Sequence, residues 1–263
     1  MKQGKSHEEE KFISTGIPGF DNLFTHGIPK GSSILVAGGA GSGKTNLCLQ
    51  ILAHHASRGK KCYYMGFKES SEKLTEHMKN FGWDSQKLID SENLKIKRFL
   101  TSEIYYYDKK SGSDIQTMMT KDVDPLLMEL VPFAIGKKVG FKPDFIVLDS
   151  LTALSSSFRG KEQSQRFYIE RLFRFFEKIG STNFLITETK QIPEIFSPTG
   201  VEEFLADGVF VLYYFNRKKF KGPAIQILKM RGEEHQKKIV AMQITNKGIK
   251  VYPEQEITDD LWK

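Results

Sequence analysis

At 263 residues, with 39% hydrophobic and 27% charged side chains, the chain is long enough for one large core or two small ones and too polar for a membrane protein. No apolar run approaches the ~20 residues of a membrane span, and the opening MKQGKSHEEEKF is too polar for a secretory signal. A net charge of +7 permits nucleotides, acidic proteins or nucleic acid as partners, while two cysteines, Cys48 and Cys62, in segments that read as buried, fit free thiols in a reducing cytoplasm.

Residues 1–11 are charged and aperiodic and are expected to form a tail. SSILVAGG (32–39) is a short apolar run closed by glycines, the pattern of a buried strand. From Thr45, the residues Leu47, Ile51, Leu52 and His55 share one side at helical spacing, and the helix should end near Gly59. KCYYMGF (61–67) predicts the next strand, and SSEKLTEHMKNFGW (70–83) a helix with Leu74, Met78 and Phe81 on one side. Residues 101–142 are the least periodic: a long loop, then a helix near 123–135. FIVLD (145–149) reads as a third buried strand, 162–179 as a long helix facing inward with Tyr168, Leu172, Phe175, Phe176 and Ile179, and NFLIT (183–187) as a fourth strand. From residue 208 the pattern becomes strands with short turns, GVFVLYYF, AIQILKM, KIVAMQIT and IKVY, with the basic cluster NRKKFKG (216–222) at a hairpin tip. The alternation up to about residue 190 predicts an α/β fold: a mostly parallel central sheet flanked by helices, extended by C-terminal antiparallel strands.

GGAGSGKT (38–45) lies between the first strand and the first helix and fits the P-loop pattern, Gly38-x-x-x-x-Gly43-Lys44-Thr45. Its glycines let the backbone turn so that successive N–H groups, from Gly41 and Ser42 through Gly43, Lys44, Thr45 and Asn46, face phosphate oxygens, and the helix dipole adds to them. Lys44 would neutralise the β- and γ-phosphates and the Thr45 hydroxyl would take a Mg²⁺ position. Asp149, closing a strand expected beside the P-loop, would hold the same ion directly or through water, with Ser150 either assisting or capping the next turn. Glu69, expected at the end of the strand next to the P-loop strand, is the candidate to orient or deprotonate water, and would equally suit the first turn of the following helix.

Taken together these residues resemble the KaiC branch of the RecA-type ATPases. STGIPGFDNLFTHGIPKGSSILVAGGAGSGKT is similar to that family's entry segment, GFKESSEKL and NFGWD to its second strand and helix, FIVLDS to its Walker B strand, and GVEEFLADGVFVL and ILKMRGEEH to its C-terminal half. The resemblance covers about residues 12–253, one repeat of the two found in the family's clock proteins, and leaves 254–263 as a C-terminal tail. It implies a RecA-like P-loop NTPase core, ATP with Mg²⁺, and a homo-oligomeric ring, often of six, with sites between subunits. The lysine and arginine that a neighbour brings on one strand match Lys229 and Arg231, with Met230 between them. Alternate strand residues share a face, so the two cations can converge on a γ-phosphate. His235 and the turn TNKG, with Thr245 and Asn246, look like that neighbour's contacts to sugar or base.

Three positions depart from the family pattern. Lys68–Glu69 stands where two adjacent glutamates are frequent, which implies slow hydrolysis or none. Asn246 stands where an acidic residue is common. EEFLAD, ending at Asp207, lacks the serine–threonine phosphoacceptor pair of the kinase repeat, which implies an ATPase without self-phosphorylation. The first expectation is therefore a slow, Mg²⁺-dependent ATPase whose nucleotide state signals to a protein partner. A second is a recombinase-like single-stranded DNA binder, with Arg159, Lys161, Arg166 and Lys190 on phosphates and Phe158 and Phe196 stacked on bases. A third is an ATP sensor without hydrolysis, in which Lys68 pairs with Glu69 and blunts it as a base.

Overall fold

A computed structural model describes residues 11–101, 141–156, 158, 162–193, 195–216 and 220–258. The tail, most of the 101–142 stretch, Arg159, Lys161 and the middle of the basic hairpin tip lie outside the described residues.

The chain enters through a short ribbon, β1 (Phe12–Ile13) antiparallel to β2 (Ile28–Pro29). There follow β3 (Ser33–Gly38), α1 (Lys44–Ala56), β4 (Cys62–Gly66), α2 (Ser71–Asn80), α3 (Ser85–Asp90) and β5 (Leu94–Arg98). Next come β6 (Phe145–Asp149), α4 (Leu151–Ser156), α5 (Glu162–Ile179), β7 (Thr182–Glu188) and α6 (Val201–Leu205). β8 (Gly208–Asn216), β9 (Lys221–Met230), β10 (Val240–Thr245) and β11 (Gly248–Glu256) complete the described part. Among the described residues no helix is long and apolar enough to cross a membrane.

Among the described residues, nine strands form one sheet in the order β11-β10-β9-β8-β3-β7-β6-β4-β5. The run from β8 to β5 is parallel, and β9, β10 and β11 continue it antiparallel. Both faces are covered, which is why β3 and β6 read as unbroken apolar runs rather than as alternations. Ile34, Val36, Phe145 and Val147 point into one core with α1, α2 and α3. Leu35, Ile146 and Leu148 point into the other, with α4 and α5. Short helices start where a side chain caps them: Ser70 Oγ accepts from Lys73 N, Asp84 from Lys87 N, and Ser150 Oγ from Ala153 N at 3.1 Å. Ser150 thus takes the capping role.

One expectation is corrected by the strand order. β7 lies between β3 and β6, and β6 lies between β7 and β4. Neither Asp149 nor Glu69 follows a strand adjacent to the P-loop strand; the neighbour on that side ends in Glu188, paired in register with Gly38. Ranks of parallel strands ending level still bring all three carboxylates to one edge, the edge where open α/β sheets bind ligands.

Candidate nucleotide site

The P-loop leaves β3 at Gly38, whose place admits no side chain, since a Cβ there would lie 2.4 Å from the Leu212 carbonyl oxygen. Gly43, with φ of +99°, makes the left-handed turn into α1. It is an N-cap with no side-chain bond, and the first amide to close the helix is Leu47 N on Gly43 O. The N–H groups of Lys44, Thr45 and Asn46 therefore have no intrahelical carbonyl, the general condition for an anion site at a helix start.

These residues open onto a cleft of about 320 Å³ lined by Gly41, Gly43, Lys44, Thr45 and Asn46, with Tyr64, Lys68, Glu69, Asp149, Glu188 and Ile244 around the rest. Lys44 is only 8% exposed and its ammonium donates to Gly38 O and Gly39 O at 2.8 and 2.7 Å. Burial lowers its pKa, and the carboxylates of Glu188 and Asp149 oppose that shift. Thr45 Oγ1 donates to Asp149 Oδ2 at 2.8 Å, and the Tyr64 hydroxyl donates to the same oxygen at 2.6 Å. Burial and then the Asp149 charge raise the Tyr64 pKa well above its usual value, so the phenol stays a donor. A hydroxyl and a carboxylate at contact distance, beside open helix amides, fit Mg²⁺ carried on a phosphate chain, the hard oxygen ligands that ion prefers. Ser42 is the exception among the loop residues: its hydroxyl is buried without a partner, 2.7 Å from where a Gly38 Cβ would stand, so it offers the site only main chain.

Lys229, Met230 and Arg231 lie elsewhere. β9 runs antiparallel to β8, and Met230 pairs with Gly208 at the start of β8. Asp207 N donates to Ser33 O there, at the edge where β3 begins. The six residues of β3 separate that edge from the P-loop, about 20 Å of strand. Lys229 Nζ donates to Glu203 O and Ala206 O at 2.9 and 2.6 Å, and Arg231 Nη2 to Phe204 O at 2.7 Å with Asp207 beside it. Burial, then Arg231, lowers the Lys229 pKa. Met230 is buried, with its sulfur against Gly208. His235 follows in the same loop, half-buried, bridged to Phe24, with Nε2 unpartnered. These four share the far edge, whereas Thr245 and Asn246 do not. β10 returns toward the P-loop, its Ile244 lines the chain's own cleft, and a Cβ on Gly43 would lie 3.1 Å from Ile244 Cδ1. Thr245 Oγ1 holds that turn by donating to Gly248 O, and Asn246 is exposed.

Lys68 pairs with Glu188, not with Glu69. Phe158, expected on bases, is 4% exposed and packs against Tyr168 in the second core, and Phe196 packs on the same core. Tyr64 and Glu188 also line the cleft, and no motif marks either of them. The only sequence signal for Glu188 is that it ends an apolar strand with a carboxylate, as Asp149 does.

The family model described as ATPase: KaiC matches residues 13–256. The circadian clock oscillator protein KaiC of Rippkaea orientalis is 30% identical over 246 residues, covering 92% of this chain and 44% of the relative. The circadian clock protein KaiC3 of Synechocystis is 32% identical over 243 residues, covering 92% of this chain and 45% of the relative. The chain thus spans less than half the length of these two relatives. Among solved structures, a KaiC-like protein from the hyperthermophilic archaeon Pyrococcus horikoshii superposes with a TM-score of 0.71 at 28% identity, covering 92% of this chain and 99% of that one.

Proposed function

The chain belongs to the KaiC ATPase family, and from that premise we propose that it is a slow, Mg²⁺-dependent ATPase of the cytoplasm whose sites are completed by a second copy and whose nucleotide state governs a protein partner. The observation that carries the reading is the single cleft holding Lys44, Thr45, Asp149 and Glu69 at the start of an uncapped helix. Each side chain has a role that its position suits. Lys44 and the α1 amides bind phosphate oxygens, two of the three lysine protons already fixing the loop carbonyls. Thr45 and Asp149 would hold Mg²⁺, which supplies charge neutralisation at the phosphates when bound. Glu69, on the rim, orients water and accepts its proton.

Lys229 and Arg231 stand at the opposite sheet edge, about 20 Å of strand from their own cleft. A ring that sets this edge against a neighbour's P-loop gives them a γ-phosphate to stabilise. His235 belongs with them in such an interface, while Thr245 and Asn246 would border the nucleotide of their own chain. The sensor reading loses its motive because Lys68 turns to Glu188 rather than to Glu69. The DNA reading loses Phe158 to the core.

The test is phosphate release from Mg-ATP across protein concentrations, with Glu69→Gln and Arg231→Ala beside the parent. Expected are turnover that rises more than linearly with concentration, loss of about 100-fold or more in Glu69→Gln with nucleotide still bound, and a similar loss in Arg231→Ala. Undiminished turnover in Glu69→Gln would remove the base assignment, and linear dependence with an active Arg231→Ala would remove the shared site.

A further inference from the structure

We propose that Lys68 and Glu188 form a γ-phosphate latch: the lysine is shared between a carboxylate of its own chain and the terminal phosphate of a bound nucleoside triphosphate, so that the cleft distinguishes triphosphate from diphosphate. The latch rests on the nucleotide reading above.

Both side chains line the same cleft as Lys44, Thr45 and Asp149. Glu188 closes β7 opposite Gly38, and Lys68 follows β4, whose Gly66 pairs with Asp149. Since β6 separates β7 from β4, the pair bridges over the strand end that carries Asp149. It therefore crosses the mouth of the site rather than lying beside it. The backbone fixes Glu188: its own amide donates to Thr152 Oγ1 and the next amide, of Thr189, donates to Gly38 O. Lys68 follows the strand end on a long flexible stem, so it is the member free to move.

The side chains of the pair are 53% and 41% exposed. An ion pair so hydrated is weak and opens readily. A terminal phosphate, doubly charged with three acceptor oxygens, outcompetes one carboxylate for an ammonium. The electrostatics act in the same direction. Glu188 and Asp149 favour the charge on Lys44 and Lys68 opposes it, so each of the three acts on the lysine that would hold the phosphates. A triphosphate arriving on Lys44 repels Glu188 and attracts Lys68, and both effects open the pair. A diphosphate leaves the pair closed.

Calorimetric titration with Mg-ADP and with the Mg complex of an imido-bridged, hydrolysis-resistant ATP analogue tests this in the parent, Lys68→Met, Glu188→Gln and the double variant. Lys68→Met is expected to weaken the triphosphate analogue about 10-fold or more and ADP less than 2-fold, the loss of one charge-assisted contact. Glu188→Gln is expected to tighten the analogue, and that gain should vanish when Lys68 is also replaced. Equal weakening of both nucleotides by Lys68→Met would overturn the latch, as would a Glu188→Gln gain that survives in the double variant. Binding of neither nucleotide by the parent would overturn the nucleotide-site reading itself, and the latch with it.

Discussion

Lys44 turns a loop of backbone into a pocket, because its ammonium ties down the Gly38 and Gly39 carbonyls while the amides beside it stay open. Lys44, Thr45 and Gly43 were readable because a P-loop is local: its chemistry sits in eight consecutive residues. Asp149 was readable because an apolar strand ending in a carboxylate after a P-loop has few other uses. Tyr64 and Glu188 reach the cleft through strand order, and strand order is not written in any window of the chain. Lys68 shows the cost of reading neighbours by sequence, since the adjacent Glu69 looked like its partner and a residue 120 positions away is. His55 makes the residue scale measurable. Its ring is buried, stacked 3.9 Å from Phe145, and bonded to Ser14 O. Burial, then the neighbouring His54, pushes its pKa from 6.5 down to about 4. The fold thus favours neutral imidazole, so its contribution to stability is complete above pH 6.5 and is lost as the pH falls toward 4. Urea midpoints should decline across that window by an amount worth about 2 kcal/mol after allowance for solvent screening, and His55→Gln should flatten the decline. An unchanged slope in the variant would assign the pH dependence elsewhere.

Long or fully buried elements were legible as elements. The limits 145–149 and 162–179 coincide with β6 and α5, and β3, β4, β7 and the four C-terminal strands fall within a few residues of their sequence patterns. α3, α4 and α6 have five or six residues each, too few for a 3.6-residue period to declare itself. β5, LKIKR, lies at the edge of the sheet with only Leu94 buried, so its alternation is short and weak. α1 hides another kind of information. Gln50 lies among its buried residues, and its amide bonds both main-chain groups of Ile249: Nε2 to the carbonyl at 3.1 Å, Oε1 from the N–H at 2.6 Å. β11 is an edge strand, and this side chain satisfies one unit of its open ladder while tying α1 to the turn beyond Ile244. Gln50→Leu keeps the volume and strands two buried polar groups, at a cost of about 2–4 kcal/mol. A lower urea midpoint with unchanged slope would show it; a midpoint within ~0.5 kcal/mol of the parent would mean that water replaces the amide.

The whole sheet has two working ends. The parallel strands deliver Gly38, Glu188, Asp149 and, past Gly66, Lys68 and Glu69 to one edge. The reversal between β8 and β9 carries Lys229 and Arg231 to the other. A single chain therefore holds both halves of the proposed site and cannot bring them together, which is the geometric basis for expecting a ring. β3, which bears the P-loop, is also central in the sheet, and both of its partners come from much later in the chain. Ser33 bonds to Asn183 at a separation of 150 residues and to Asp207 at 174. Contacts so distant in sequence form slowly, because the loop entropy must be met first. On a ribosome, the P-loop leaves the exit tunnel well before β7 and β8 and has neither of its partner strands to lie against until they emerge. Chains stopped after Gly180 should leave the β3 amides exchanging freely with solvent and bind no Mg-ATP, whereas slow β3 exchange in such a fragment would contradict this order. The capacity to grip a nucleotide would then wait on two strands made long after the loop that does the gripping, and grip itself would certify that both have been delivered.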